Sequence, residues 1–198
     1  MSKSKREQIR RRQRQQKIRS NLIWGVLATV VLGIIGVFVW QGARPAAAMG
    51  EEVEISADYV NHIEEGTDPG PFPSDPPAGG RHYAGTYEAG FYDEDSPQTQ
   101  EAYPEGYIGH NPEHGYVVIW YNCASISDSE CNTLKSEIKA VMDEFDGVKL
   151  IAFPWPSLDV PVAMTSWGRL LRFESFEPQT AASFIQANRN KSPEPNAP

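Results

Sequence analysis

The sequence predicts an α+β domain with two helices on one face of a mixed or antiparallel sheet, preceded by a single N-terminal transmembrane helix. Three observations predict this architecture. An uncharged apolar run lies near the N-terminus, several short β-forming segments follow residue 115, and two amphipathic segments are interspersed among them. The segment Gly66–Gly90, which is rich in proline and glycine, precedes the first strong strand, and its interleaved aromatic residues predict an ordered loop over the core.

The apolar run Leu22–Trp40 would span roughly 28 Å as a helix, close to the hydrocarbon thickness of a bilayer. Residues 1–20 carry a charge of +8 in a chain of net charge −8, so the remainder carries −16. The positive-inside rule then predicts a basic cytoplasmic tail (1–20), a transmembrane helix (21–41) and an extracytoplasmic remainder. We therefore expect a single-pass protein of the cell membrane, and no binding of nucleic acid by the short tethered tail.

A cleaved secretory signal is the alternative, because Ala46–Ala48 resembles a cleavage site after a basic segment. The apolar run exceeds the roughly 7–15 residues of a usual signal, which favours a retained anchor. After the anchor we predict a linker (42–58) turning into a short strand, an extracytoplasmic α+β domain (59–190) and a flexible tail (191–198). Val53, Ile55 and Tyr59 are the apolar signals of that short strand.

Residue patterns predict the elements of the exterior domain in order. Tyr116–Tyr121 is β-branched and aromatic throughout, which is typical of a central strand buried on both faces. Ser127–Glu130 has the form of a capping box, and apolar residues at helical spacing continue until Gly147. Further strands are predicted at 148–153, 160–167 and 170–173, and a last helix from Pro178.

All four histidines lie in the irregular part of the exterior domain or at its junction with the first central strand: His62, His82, His110 and His114. Loop-borne imidazoles beside a rigid strand can converge on zinc or copper. We expect His82, His110 and His114 to bind such an ion, with His62 as a further ligand. Glu113 would orient an imidazole from outside the ligand set. The alternative is that these histidines are ordinary loop or structural residues.

His110–His114 also has the residue order of inverted zinc proteases. Those enzymes carry both histidines on one face of a helix, whereas here Pro112 interrupts the motif and a strand follows at once. No nucleophilic or acid–base dyad stands out by its spacing, and no phosphate-binding glycine loop is present. The chain is therefore expected to be non-enzymatic rather than an enzyme.

Cys123 and Cys131 are the two cysteines, and the predicted topology places both in an oxidising compartment. A disulfide between them would close a loop of about nine residues and contribute on the order of 2–3 kcal/mol. Thiolate ligands for a metal are the less favoured alternative.

Three motifs, Pro76–Tyr83, His110–Tyr121 and Met164–Leu171, resemble those of a bacterial and archaeal family catalogued as domain of unknown function 3105. The resemblance covers about residues 60–190 and implies an extracytoplasmic domain behind one membrane anchor, with no established activity. Gly79–Arg81 departs from the serine-glycine-proline of the family pattern. Met164 replaces its usual leucine, either as a core residue or as a soft copper ligand.

Gly168 lies between Trp167 and Arg169, which indicates a bulge or a close backbone approach. We expect Arg169 to reach Glu113 beneath the histidines, the alternative being a surface arginine beside a core tryptophan.

The leading functional hypothesis is metal handling or sensing at the cell surface through the histidine cluster. The alternative is a non-enzymatic accessory subunit of a membrane complex, which would contact its partner through the transmembrane helix or the aromatic loop. A metal-dependent hydrolase is the second alternative, and it requires an open coordination position beside Glu113.

Overall fold

A computed structural model describes residues 24, 25, 29, 31–35, 47–57, 61–124 and 126–197. The chain divides into two compact units, residues 1–45 and 46–198. In the first unit the described residues are helical, and the predicted basic tail and the rest of the predicted transmembrane helix lie outside the described residues. Among the residues described, no helix is long and apolar enough to cross a membrane.

The second unit is an α+β domain built on a mixed six-stranded sheet of order β1-β6-β5-β3-β4-β2. Its strands are β1 (Glu51–Glu52), β2 (Gly90–Phe91), β3 (Val117–Tyr121), β4 (Leu150–Pro154), β5 (Val162–Ser166) and β6 (Arg169–Phe173). β3 runs parallel to β4 and antiparallel to β5, and all five of its residues are buried. The prediction of a central strand at Tyr116–Tyr121 is confirmed.

The described part of this second unit contains a 3₁₀ helix at Pro97–Gln100 and four α-helices: α1 (Pro104–Ile108), α2 (His110–Glu113), α3 (Asp128–Asp143) and α4 (Pro178–Asn188). The predicted capping box is present at α3, where the Ser127 hydroxyl accepts from the Glu130 N–H and the Ser127 N–H donates to the Glu130 carboxylate. Pro178 occupies the first turn of α4, where its missing N–H costs no helical hydrogen bond.

Both long helices pack on one face of the sheet, as predicted. Leu134 and Ile138 of α3 and Phe184 of α4 form one core cluster with Val117 and Ile119 of β3. The alternating side chains of β3 point to the opposite face, because successive residues of a strand face opposite ways. The sheet is therefore buried on both sides.

The opposite face is covered by the proline- and glycine-rich segment and by α1, rather than by long helices. Tyr87 of that segment and Ile108 of α1 pack against Val118 and Trp120 of β3 and against Ile151 of β4. The prediction of an ordered loop wrapped over the core is confirmed.

Two segments near the ends of the domain are hydrogen bonded to the rest of it. β1 lies within the predicted linker and pairs with β6, so the strand comes before Val53 and Ile55 rather than containing them; Tyr59 lies outside the described residues. The flexible tail is predicted at 191–198. In the described part of it the Glu194 N–H donates to the Glu113 carbonyl oxygen, in the segment that precedes β3, and Lys149 Nζ donates to the Pro195 carbonyl oxygen.

The predicted disulfide between Cys123 and Cys131 is formed, and it joins the end of β3 to α3. Its sulfur atoms are therefore not thiolates, which removes them as metal ligands in this oxidised state.

Candidate metal site

The segment Gly109–Gly115 links α1 to β3 and carries three of the candidate side chains. Pro112 does not prevent helix formation here, contrary to our expectation, because it lies in the single turn of α2, where no helical N–H bond is lost. Gly115 has φ +85, and a Cβ there would lie 2.7 Å from the Cα of Asn190. Glycine is thus required where the chain turns into β3.

His62 and His82, which are far apart in sequence, are brought together by main-chain pairing. They form an isolated parallel β-bridge, and the Ile63 N–H donates to the His82 carbonyl oxygen (2.9 Å). A Cβ on Gly109 would lie 3.1 Å from the Cβ of His82, so glycine lets α2 approach this bridge closely. The two loop histidines therefore lie beside those of the Gly109–Gly115 segment.

Four side chains converge at this point: His62, His82, His110 and Glu113. One possible ligand atom from each lies within 4.8 Å of the others. The His110 ring centroid is 4.7 Å from that of His62 and 4.8 Å from that of His82. His62 is exposed, whereas the other three are buried, so the cluster has one side open to solvent. We call these four residues the histidine–glutamate cluster.

The hydrogen bonding of His82 determines which of its nitrogens faces the cluster. Its Nδ1 lies 2.7 Å from the Gly80 carbonyl oxygen, which can only accept, so Nδ1 carries a proton. In the neutral imidazole Nε2 is then bare, and it lies 3.0 Å from Glu113 Oε2 without the angle of a hydrogen bond. Two buried lone pairs at this distance repel unless a proton or a cation lies between them.

His110 is held in its neutral form. Burial first, and then the neighbouring His82, His114 and His62, lower its pKa to about 4, against a weaker opposing effect of the Gly85 backbone. Its Nδ1 is buried without a hydrogen-bond partner, and its Nε2 lies 3.9 Å from Glu113 Oε2. A neutral imidazole is the form that binds metal ions.

The cluster differs from the predicted ligand set in two residues. His114 is not among the four, although its ring centroid lies 4.4 Å from that of His110; its Nε2 lies 3.7 Å from Glu194 Oε2. Glu113, predicted to support the ligands from outside, places a carboxylate oxygen among the donor atoms. The turn of α2 places His110 and Glu113 three residues apart on one helical face, which accounts for this contact.

Contrary to the prediction, Arg169 does not reach Glu113. Its Nη2 lies 3.3 Å from Glu52 Oε2, because the pairing of β1 with β6 places Glu52 directly opposite Arg169. Gly168, with φ +67, forms the tight turn before it and bonds the backbones of Ala78 and Val53. Met164 is fully buried in the core beneath α3 and α4, so it is a core residue and not a ligand of the cluster.

One residue that supports the cluster had no signal in the sequence that we recognised. Asn111, fully buried in α2, accepts from the Tyr87 N–H (3.2 Å) and donates to the Tyr87 carbonyl oxygen (2.8 Å). It thereby fixes the proline- and glycine-rich segment against the helix that carries His110 and Glu113. An asparagine inside a motif dominated by histidine and proline could have indicated such a clamp.

The donor set suits a borderline divalent ion. Three imidazoles and one carboxylate are typical ligands of zinc and also suit copper(II), whereas copper(I) prefers sulfur. Tetrahedral zinc bonds of about 2.0–2.1 Å would place donor atoms roughly 3.3–3.4 Å apart. The donor atoms of the cluster lie within 4.8 Å of one another, which is somewhat wider, so binding of the ion would draw them together. The exposed His62 has the most room to move.

In a comparison with protein families, the family model described as protein of unknown function DUF3105 matches residues 65–198. Neither the curated proteins nor the solved structures contain a match to the chain.

Proposed function

Since the chain belongs to the family described as protein of unknown function DUF3105, we propose its function from the site alone: it binds one transition-metal ion, zinc in the first place, through His62, His82, His110 and Glu113. The observation that carries this proposal is the buried His82 Nε2, which makes no hydrogen bond and lies 3.0 Å from Glu113 Oε2, with the neutral His110 beside both. A divalent ion between these lone pairs converts a repulsive contact into four favourable bonds.

The competing explanation is that His82 is protonated and forms a buried ion pair with Glu113. That pair would explain the contact of these two residues without a metal. It would not explain why the exposed His62 and the neutral His110 also aim donor atoms at the same point. The ion accounts for all four.

The proposed role is binding, in metal handling or sensing, rather than hydrolysis. A tetrahedral ion held by three imidazoles and a carboxylate has no open position for a water nucleophile. With His62 as its only exposed ligand, the ion would be reached from one side. Such a site suits storage, sensing or transfer of the ion.

The location is part of the same proposal. The apolar run Leu22–Trp40 behind nine basic residues supports a membrane anchor with a cytoplasmic N-terminus. The disulfide between Cys123 and Cys131 supports an oxidising compartment for the domain. The ion would then be bound at the outer side of the cell membrane.

The test is metal content by elemental analysis of the full-length protein in mild detergent, after incubation with excess Zn²⁺ or Cu²⁺ and removal of free ion. About one ion per chain is expected, and it should be lost in His62→Ala and Glu113→Gln. His62 is exposed, so its substitution leaves the fold intact. Glu174→Gln, an exposed carboxylate beyond β6, is the matched control and should retain the ion.

A bound ion should also raise the thermal midpoint of the wild type but not of His62→Ala, because it stabilises the folded state alone. A folded wild type that takes up neither ion would refute metal binding. The accessory-subunit hypothesis would then be favoured, and the next step would be to isolate the protein with its membrane partner.

A further inference from the structure

The segment that follows α4 lies against the residues that carry the cluster. We call residues 190–197 the C-terminal strap. The Asn190 N–H donates to the Gly115 carbonyl oxygen (2.9 Å), and the Glu194 N–H donates to that of Glu113 (3.0 Å). Lys149 Nζ donates to three further carbonyl oxygens on both sides of the contact, those of His114 (2.8 Å), Pro195 (2.9 Å) and Ala197 (3.2 Å). The strap is therefore fixed relative to the cluster.

This attachment holds the Glu194 carboxylate beside His114. Exposure falls stepwise from solvent towards the cluster: 61% for the Glu194 side chain, 12% for His114 and 7% for His110. The His114 and His110 ring centroids are 4.4 Å apart. A carboxylate and two imidazoles thus form a continuous series of metal-binding groups from the surface to the buried site.

The spacing of the outer pair suits an ion. His114 Nε2 and Glu194 Oε2 are 3.7 Å apart, which exceeds hydrogen-bond distance. Two bonds of about 2.0–2.2 Å to a single ion leave their donor atoms roughly 3.3–3.6 Å apart at a tetrahedral angle. The outer pair is close to this separation, and a small movement of the exposed Glu194 side chain would let it hold a partly hydrated cation, whereas the wider inner cluster must contract more.

From these observations, and resting on the proposed function, we propose that His114 and Glu194 form an entry site that captures a hydrated divalent cation and delivers it to the histidine–glutamate cluster. The exposed carboxylate attracts the ion and replaces part of its water, and His114 replaces more. The ion then passes to His110, whose ring adjoins that of His114. His114 thus acts in loading and not in final coordination.

The test is the rate of Zn²⁺ uptake by the full-length, metal-free protein, followed by stopped flow with a chromophoric zinc chelator as competitor. Glu194→Gln and His114→Gln should each slow association about 5–10-fold, within the range of local electrostatic attraction. Both should still bind one ion at equilibrium. The double variant should be no slower than the slower single variant, because the pair acts as a unit.

Glu174→Gln provides the matched control for loss of one exposed carboxylate and should load at the wild-type rate. Wild-type rates in Glu194→Gln would overturn the entry site and indicate direct loading at the exposed His62. Faster loading would overturn it as well, since the strap would then only obstruct the site. Loss of the equilibrium ion from a folded His114→Gln would make His114 a ligand, also against the proposal. A wild type that binds no ion at all would instead refute the proposed function.

Discussion

The two faces of the sheet are covered in different ways. On one face α3 and α4 pack apolar side chains such as Ile138 and Phe184 onto β3. On the other, the proline- and glycine-rich segment and α1 cover Val118 and Trp120, and the histidine–glutamate cluster lies at the end of this loop-covered layer where the chain enters β3.

The two faces therefore have different roles: the helical face stabilises the fold, and the loop-covered layer holds the side chains of the candidate metal site. The helical face buries large apolar groups, and burial is the main favourable term in folding. The loop-covered layer instead uses main-chain pairing and buried polar side chains, such as the bridge between His62 and His82, to hold donor atoms in place. Substitutions on the two faces should therefore separate the free energy of unfolding from ion binding.

The largest effect on stability is expected from Phe184→Ala on the helical face. Phe184 is fully buried, and removal of its ring should reduce the free energy of unfolding by about 3–5 kcal/mol. Zinc content per folded chain should stay at the wild-type value, because the ring lies on the other side of the sheet. Urea unfolding and elemental analysis measure the two quantities.

Val148→Ala is the control, since Val148 is 55% exposed and should change the stability by less than about 0.5 kcal/mol. If Phe184→Ala removed the ion from protein that is still folded, the separation of the two faces would be refuted.

A sharper comparison uses two buried asparagines that make the same contact on opposite faces. Asn111 bonds the N–H and carbonyl oxygen of Tyr87, and Asn188 bonds those of Met49. Alanine at either position should cost about 2–3 kcal/mol, because two backbone groups lose their partners. Zinc binding should weaken only in Asn111→Ala, whose clamp supports the helix of His110. Equal loss of zinc affinity in both variants would contradict this expectation.

The main helix and strand could be predicted from the sequence more completely than the site. α3 could be predicted because a capping box and a helical repeat are local signals, and β3 because its residues are β-branched or aromatic. The site was predicted only as a group of histidines near β3. Which of them meet depends on long-range pairing: the bridge of His62 to His82 recruits His62, and the strap contacts His114 from beyond α4.

Arg169 shows the same limit. Its partner Glu52 lies in a two-residue strand with no apolar pattern, so no residue pattern indicated that β1 would extend the sheet there. Short edge strands are determined by the strand they join rather than by their own residues.

A pH dependence of moderate size is expected from the buried His110 in the metal-free protein. Its pKa of about 4 lies below the 6.5 of an unfolded histidine, so between these values the unfolded state binds more protons. Stability should therefore fall by about 1–3 kcal/mol as the pH decreases from about 6.5 to about 4. Urea unfolding of chelator-treated protein measures this slope.

The control is His110→Gln, which cannot titrate, so the difference in stability between it and the wild type should change across this pH range. A difference that is constant from pH 7 to pH 4 would show that the imidazole titrates normally and is not held neutral by burial.

The smallest effect is expected at the capping box of α3, which lies at the other end of β3 from the cluster. Ser127→Ala should reduce the free energy of unfolding by about 1 kcal/mol, because the Glu130 N–H loses its acceptor and the carboxylate loses the hydroxyl.

This effect should depend on pH. The bonds from Ser127 lower the pKa of Glu130, so their contribution is present above the unfolded pKa of 4.5 and is lost as the pH falls through the lowered pKa of the folded state. The difference in the free energy of unfolding between Ser127→Ala and the wild type should therefore shrink as the pH falls. As for His110, the wild type loses stability in acid, but here the titrating group is Glu130, which does not touch the site. Zinc content should be the same at neutral pH in both proteins, and its loss in Ser127→Ala would show that the helical face and the site are energetically coupled after all.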